Sequence, residues 1–229
     1  MKLGAALCPA PRHFAATATS SVGRTVSGSV GIRFIWRHCH CAASWPLGSC
    51  KLRLLQRSTL KPDDLVLSIN FLADALVTQR EPNSLSCTVE RGESVKLSFF
   101  GVPKISRLRA PLVARNNGLK VASLLDLAGT KARVVQMRAE AKDYIDLDAI
   151  IINGTVDLSH ALSAARGIYG EQFNPQAALK ALAFFEDGTL NELPEATKQR
   201  LKAAVVAVDI RHLPNIEVMG SGYHHGARS

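Results

Sequence analysis

Beyond residue 60 the apolar positions fall into short periodic runs, and each run predicts an element. Residues 62–73 open on Lys61-Pro62-Asp63-Asp64 and then place Leu65, Leu67, Ile69 and Leu72, which predicts a helix. Residues 75–79 predict a strand that leads into a Pro82-Asn83 turn. Residues 84–89 and 94–100 alternate or run apolar on either side of Glu90-Arg91-Gly92-Glu93, a hairpin pattern with glycine at the turn. Gly101 and Pro103 close that hairpin, and residues 119–122 predict one more short strand.

From Ser123 the spacing becomes helical. Ser123 with Asp126 three residues on is a capping pair, and a helix follows from 124 to about 139. A second helix runs through Tyr144 to 152, where Asn153-Gly154 stops it. Asp157 caps a helix to about 169. Asn174-Pro175 supplies an N-cap and a first-turn proline for a helix to about 185. The last helix spans 195–208, and the Gly-rich residues 219–229 predict a loose tail.

These elements predict an α+β fold, a small mixed sheet followed by a helical C-terminal region. The implied division is 58–122 for the sheet, 123–218 for the helices and 219–229 for a flexible tail. Residues 1–57 carry no comparable pattern and are expected to be disordered or poorly packed. No apolar run is long enough for a transmembrane helix, so no membrane partner is expected.

Charge sharpens this division. The first acidic residue is Asp63, and nine Lys and Arg precede it. The totals are 28 basic and 19 acidic residues, so the remainder carries 19 of each (28 − 9 = 19). The formal charge of +9 therefore belongs to the opening segment, and the balanced part offers no broad basic face for nucleic acid.

The acid-free segment admits three readings. Residues 14–33 have the Arg- and Ser-rich composition of an organelle transit peptide, although the bias continues past Pro46, Leu47 and Gly48. His38, Cys39, His40, Cys41 and Cys50 are zinc-ligand types, but their spacing matches no strong zinc pattern, and neighbouring residues on an extended chain point to opposite sides. The odd count of five cysteines also argues against a secreted disulfide scaffold. The third reading is a coding sequence translated in the wrong frame.

The chemistry-bearing stretch lies in the balanced part. Lys131, Arg138 and Lys142 are seven and eleven residues apart, offsets that share one stripe on a continuous helix. Arg138 and Lys142 form a like-charge i,i+4 pair, which calls for a compensating anion. Asp143 and Asp146, three apart, supply one, as would a bound phosphate. The plain alternative is a solvated helix face laced with ion pairs. On that view Asp126 is a cap, and Glu140 and Asp148 are surface residues.

The set as a whole resembles the AbiEii/AbiGii-type nucleotidyltransferase toxin family, the toxin side of abortive-infection toxin–antitoxin pairs. The resemblance rests on VKLSFFG (95–101), LKVASLLDLAGTKARVV (119–135), RAEAKDYIDLDAI (138–150) and ARGIYGEQFNPQAALKALAFFEDG (165–188), and covers roughly residues 60–218. Its specific part is Lys-Asp-x-x-Asp after a Lys-bearing helix. The resemblance implies a nucleotidyltransferase-like sheet, incomplete here, followed by helices. It implies Mg2+-bound NTP, an acceptor that in some relatives is RNA, a cognate antitoxin and a cytoplasmic location. Lys131, Arg138 and Lys142 would contact the nucleotide, and Asp143 or Asp146 would act as base or orient the site.

The chain departs from the family where the metal motif belongs. The family opens with a Gly-Gly-Thr or Gly-Ser turn and an Asp-x-Asp strand, and neither exists before Asp63. Ser98 stands where many nucleotidyltransferases place a third carboxylate. Sliding the coding frame forward by one base from Trp36 permits Gly-Gly-Thr-Ala-Ile-Ala, then Gly-His, then Phe-Asp-Phe-Phe over residues 52–56. Lys51 shifts to Asn or Ser, where the first aspartate belongs. The shift accounts at once for the missing acids, the Cys/His/Trp cluster and the missing motif. The chain as written is then expected to be inactive, with its metal ligands absent. The alternatives are a non-catalytic nucleotide- or partner-binding module, or an organelle-imported protein.

Overall fold

The computed structural model describes residues 34–38, 50–90, 94–115 and 120–219; for 34–38, 50 and 51 it describes the backbone alone. The transit-like stretch 14–33 and the side chains of the His/Cys cluster lie outside the described residues, as do 220–229. The architecture is a mixed sheet followed by helices. Among the described residues no helix is long and apolar enough to cross a membrane.

The chain divides into two compact units. The first spans Met1–Lys104 with Pro111–Val121, and the second Ile105–Ala110 with Ala122–Ser229. In the first unit the strands are β1 (Phe34–His38), β2 (Cys50–Gln56), β3 (Leu76–Glu81), β4 (Ser84–Glu90), β5 (Ser94–Gly101), β6 (Leu112–Val113) and β7 (Lys120–Val121). Their order is β3-β4-β5-β2-β1-β7-β6. Neighbouring strands are antiparallel except β2 with β5 and β1 with β7.

The β4–β5 hairpin follows the predicted alternation. Leu85 faces Phe99, Cys87 faces Leu97 and Val89 faces Val95, and all six side chains are buried. Because side chains alternate along a strand, this whole set falls on one face. Helix α1 (Pro62–Ser68) supplies Leu65 to the same core. The predicted helix over 62–73 is shorter than expected. It stops where Ile69 turns extended (φ −119°, ψ 98°), and a 3-10 turn at Asn70–Leu72 replaces its last part. Ser68 Oγ donates to the Leu65 carbonyl at 3.1 Å, offering that last turn a side-chain donor.

At the Pro82-Asn83 turn, Asn83 takes a left-handed conformation (φ 63°). Its Oδ1 accepts from Leu60 N at 2.9 Å, and its carbonyl accepts from Gly101 N at 2.8 Å. Asparagine tolerates that backbone region better than most residues and here also ties the turn to the strand ends.

Two expectations about the opening segment need correction. Residues 50–56 are not disordered: they form β2, seven residues paired in register with β5 from Cys50↔Val95 to Gln56↔Gly101. The sheet is therefore not left incomplete at β5, which has β4 on one side and β2 on the other. Leu52 and Leu54 explain it. They alternate onto the apolar face opposite Leu97 and Phe99, and Leu54 is buried there.

The second unit holds α2 (Leu124–Met137), α3 (Ala141–Ile152), α4 (Leu158–Tyr169), α5 (Pro175–Ala183) and α6 (Glu195–Val206). The sequence caps behave as read. Ser123 accepts from Asp126 N, Asp157 from His160 N, and Asn174 from Gln176 N and Ala177 N. Helices α2 and α4 cross closely at Gly129, where an added Cβ would stand 2.8 Å from Ala164 C and from Ala165 N. Ala128, Ala132 and Val135 of α2 pack there with Ala161, Leu162 and Ala165 of α4 in one core.

Candidate functional site

Helix α2 buries a stripe of Ala128, Lys131, Ala132 and Val135, the i, i+3, i+4, i+7 face of one helix. Lys131 therefore lies on the core-facing side. This overturns the solvated-face reading for it, since its side chain is 1% exposed. A lysine so placed needs an anion, because burying an unpaired ammonium is strongly unfavourable.

The anions come from α3. Lys131 Nζ donates to Asp143 Oδ1 at 2.7 Å, and the Asp143 side chain is also 1% exposed. Asp146, one turn further along α3, places Oδ2 against the same Nζ; its side chain is 20% exposed. The i,i+3 spacing read from the sequence does bring both carboxylates to one place.

The continuous basic stripe does not survive. Helix α2 ends at Met137, and Arg138 is extended (φ −153°, ψ 146°). Glu140 is extended too, ahead of α3. This break turns Arg138 back onto Asp143: its Nε donates to Oδ2 at 2.9 Å, and Nη2 lies 2.8 Å from the same oxygen. Asp143 is thus held by a different cation on each oxygen. Burial pushes its carboxyl pKa up, but hydrogen bonds and charge from Lys131 and Arg138 outweigh that and hold it below the usual aspartate value.

Lys142 does not reach Asp143 among the described ion pairs. It pairs with Glu140, which also meets Arg138 Nη1 at 3.1 Å. Arg138 and Lys142 are 38% and 42% exposed, so they form the solvent side of the cluster. Glu140 is the anion that the like-charge pair required, and it was missed although it sits between the two cations in sequence.

Tyr144 fixes how α3 presents these acids. Its ring packs edge-on to Phe185 with centroids 6.1 Å apart, and its hydroxyl donates to the Ala181 carbonyl at 3.3 Å. Burial, with the charges of Asp187 and Asp143, pushes its pKa up to about 12, so it stays a neutral donor.

Two further acids do more than the sequence suggested. Asp126 is a cap and also a tether, accepting from Leu108 N at 2.7 Å and Arg109 N at 3.2 Å. This holds Ile105–Ala110 in the helical unit, where Leu108 is fully buried. Asp148 is not a surface residue. It is 6% exposed in its side chain and takes Arg200 Nε at 3.0 Å and Nη2 at 2.6 Å in a bidentate pair between α3 and α6. Residues 52 apart carry no local signal of such a partnership.

The expected Mg2+ does not fit this cluster. Asp143 is committed to Lys131 and Arg138 and Asp146 to Lys131, so a divalent cation there would face at least two positive groups. In the sheet, Ser98 of β5 stands between Arg53 of β2 and Ser86 of β4, and its Oγ lies 3.1 Å from Ser86 Oγ. That cross-strand row presents a cation and two hydroxyls instead of carboxylates. Among the described residues no group of three or more His, Cys, Asp or Glu side chains is placed to share a metal ion. No protein-family model matches the chain, and no curated protein matches it.

Proposed function

We propose that this chain is a cytoplasmic, nucleotidyltransferase-type protein related to the toxin half of abortive-infection pairs. It holds the triphosphate of an NTP at its Lys131–Asp143 cluster and, as written, transfers no nucleotide. The full activity implied by the type is transfer from Mg2+-bound NTP to an acceptor such as RNA, under control of a cognate antitoxin.

The observation that supports this reading is the convergence of the two aspartates of the Lys-Asp-x-x-Asp element on buried Lys131, 2.7 Å from Nζ to Asp143. Stability alone gives little reason for it, since apolar groups of the same volume often serve a core equally well. The corner holds three cations, two of them half-exposed, and three acids paired with them, so it takes a triphosphate only where the ligand replaces an acid. In-line displacement at phosphorus needs positive charge on both the attacking and leaving oxygens, commonly from metal ions. No transfer is expected because the metal-binding motif is missing, and Asp143 and Asp146 are already paired with Lys131 and Arg138.

The wrong-frame reading gives the loss a location. The aspartate of the shifted Phe-Asp-Phe-Phe takes the place of Arg53, opposite Ser98 in the sheet. The coding DNA tests this, and a stop codon in the shifted frame between Trp36 and Arg57 rules it out. The activity claim is tested by incubating the purified chain with labelled NTP, Mg2+ and RNA. No label enters the RNA on this account, and efficient labelling overturns it.

One observation favours a second reading, a non-catalytic binding module in which the cluster is structural: Lys131 is almost wholly enclosed. Equilibrium NTP binding by wild type and Arg138→Gln separates the two. The nucleotide reading requires saturable binding that the substitution weakens.

A further inference from the structure

We propose that Asp146 is a displaceable counter-ion, its carboxylate giving way on Lys131 to a phosphate oxygen of a linear polyphosphate ligand. This rests on the nucleotide-binding reading above and names the group that the ligand replaces.

The two carboxylates on Lys131 are unequal. Asp143 is 1% exposed and gripped on both oxygens, by Lys131 at 2.7 Å and by Arg138 at 2.9 Å. Its departure would strip two cations at once. Asp146 sits one helical turn further on; the oxygen it places on Lys131 is buried, but its side chain as a whole is 20% exposed, against 1% for Asp143. Removing Asp146 leaves Lys131, Arg138 and Lys142 with Asp143 and Glu140, three positive charges against two negative.

That surplus decides what enters. Water in place of Asp146 leaves a buried ammonium undercompensated, which is strongly disfavoured. An anionic oxygen restores the balance, so the exchange is anion for anion. A monovalent halide satisfies Lys131 and nothing else. A linear polyphosphate also reaches Arg138 and Lys142, whose half-exposed heads share Glu140 on the solvent side. Asp146 therefore competes with the ligand, and apparent affinity is reduced by the fraction of time it holds Lys131.

The test uses the full chain with tripolyphosphate and ATP as probes, titrated by calorimetry at fixed ionic strength. Asp146→Asn keeps the shape, removes the competing charge and is expected to tighten tripolyphosphate about tenfold. Asp146→Glu retains the charge and brings no such gain. Wild type carrying carboxyl-labelled aspartate gives a readout independent of variant folding: the Asp146 carboxyl carbon resonance moves in step with saturation. Equal or weaker binding by a folded Asp146→Asn overturns the proposal. So does an Asp146 signal unmoved at saturation, or no binding of either probe. ATP binding no tighter than tripolyphosphate, with the Asn gain intact, supports the anion exchange and removes the nucleotide reading.

Discussion

Lys131 on α2 and Asp143 on α3 lie 2.7 Å apart with each side chain 1% exposed, joined across the stretch where the chain leaves one helix and enters the next. Their contact is possible because Arg138, Ala139 and Glu140 are not helical. A continuous helix would carry the two residues twelve positions apart along one rod, some 18 Å at about 1.5 Å per residue.

Breaking this pair from one side is expected to be costly. Lys131→Met removes the cation that Asp143 and Asp146 share, and Asp143→Asn leaves Lys131 and Arg138 with one acid fewer; losses of about 3–5 kcal/mol follow for removal of one buried partner. The double change Lys131→Met/Asp143→Asn is expected to cost less than the sum of the two single losses, because the two charges leave together even though Asp146 and Arg138 each still lose a partner. Urea denaturation of the three variants measures it. Additive losses in the double variant would show that the pair is not energetically coupled.

The same pair sets an acid limit. The Asp143 carboxyl is held below its ordinary pKa in the folded chain, so folding is favoured by its ionised form. The stabilisation is present above the unfolded aspartate value, about 3.9, and drains away as pH falls through the lower folded value. Denaturation midpoints should therefore decline below about pH 4 in wild type and decline less in Asp143→Asn. Parallel curves would remove Asp143 from the acid response.

Arg200 grips Asp148 through two nitrogens, at 3.0 and 2.6 Å, and also reaches Thr197 Oγ1 at 3.1 Å. Lysine has no planar fork and offers a single point charge. Arg200→Lys should lower the melting temperature by a few degrees, and Arg200→Ala should lower it further because the Asp148 carboxylate is buried. Equal melting temperatures for wild type and the lysine variant would show that the bidentate geometry contributes nothing.

Gly129→Ala separates packing from helix propensity. Propensity alone favours alanine by about 1 kcal/mol. The new Cβ would stand 2.8 Å from backbone atoms of α4, which cannot move aside as a flexible side chain can. A net destabilisation of about 1–3 kcal/mol is expected, read from thermal unfolding. A stabilised variant would mean that the helices separate at little cost.

Much of the fold was legible because it is governed by local chemistry. Ser123, Asp157 and Asn174 mark helix starts, since a short side-chain acceptor beside free N–H groups is a nearest-neighbour effect. The β4–β5 hairpin was legible for the same reason, through alternation. Pairing at long range was not. Nothing near Asp148 announces Arg200, and nothing near Asp126 announces Leu108. Residues 51–54 alternate basic residue and leucine, which is a strand pattern, but nothing local says that the strand pairs with β5. At the site, Lys131, Arg138, Asp143 and Asp146 of the expected set meet in one cluster, while Lys142 joins it only through Glu140. Its geometry was misread, because a helix break inside a charged stretch has no proline or glycine to mark it.

The Lys131–Asp143 corner is proposed to hold a nucleotide through its triphosphate. Equilibrium dialysis of ATP, GTP, CTP and UTP against the full chain tests it most directly, with Arg138→Gln as the paired variant. The account predicts saturable binding of at least one NTP by wild type, weakened several-fold in Arg138→Gln while the melting curve stays cooperative. Absence of saturable binding for all four nucleotides, or binding unchanged by the substitution, would contradict it.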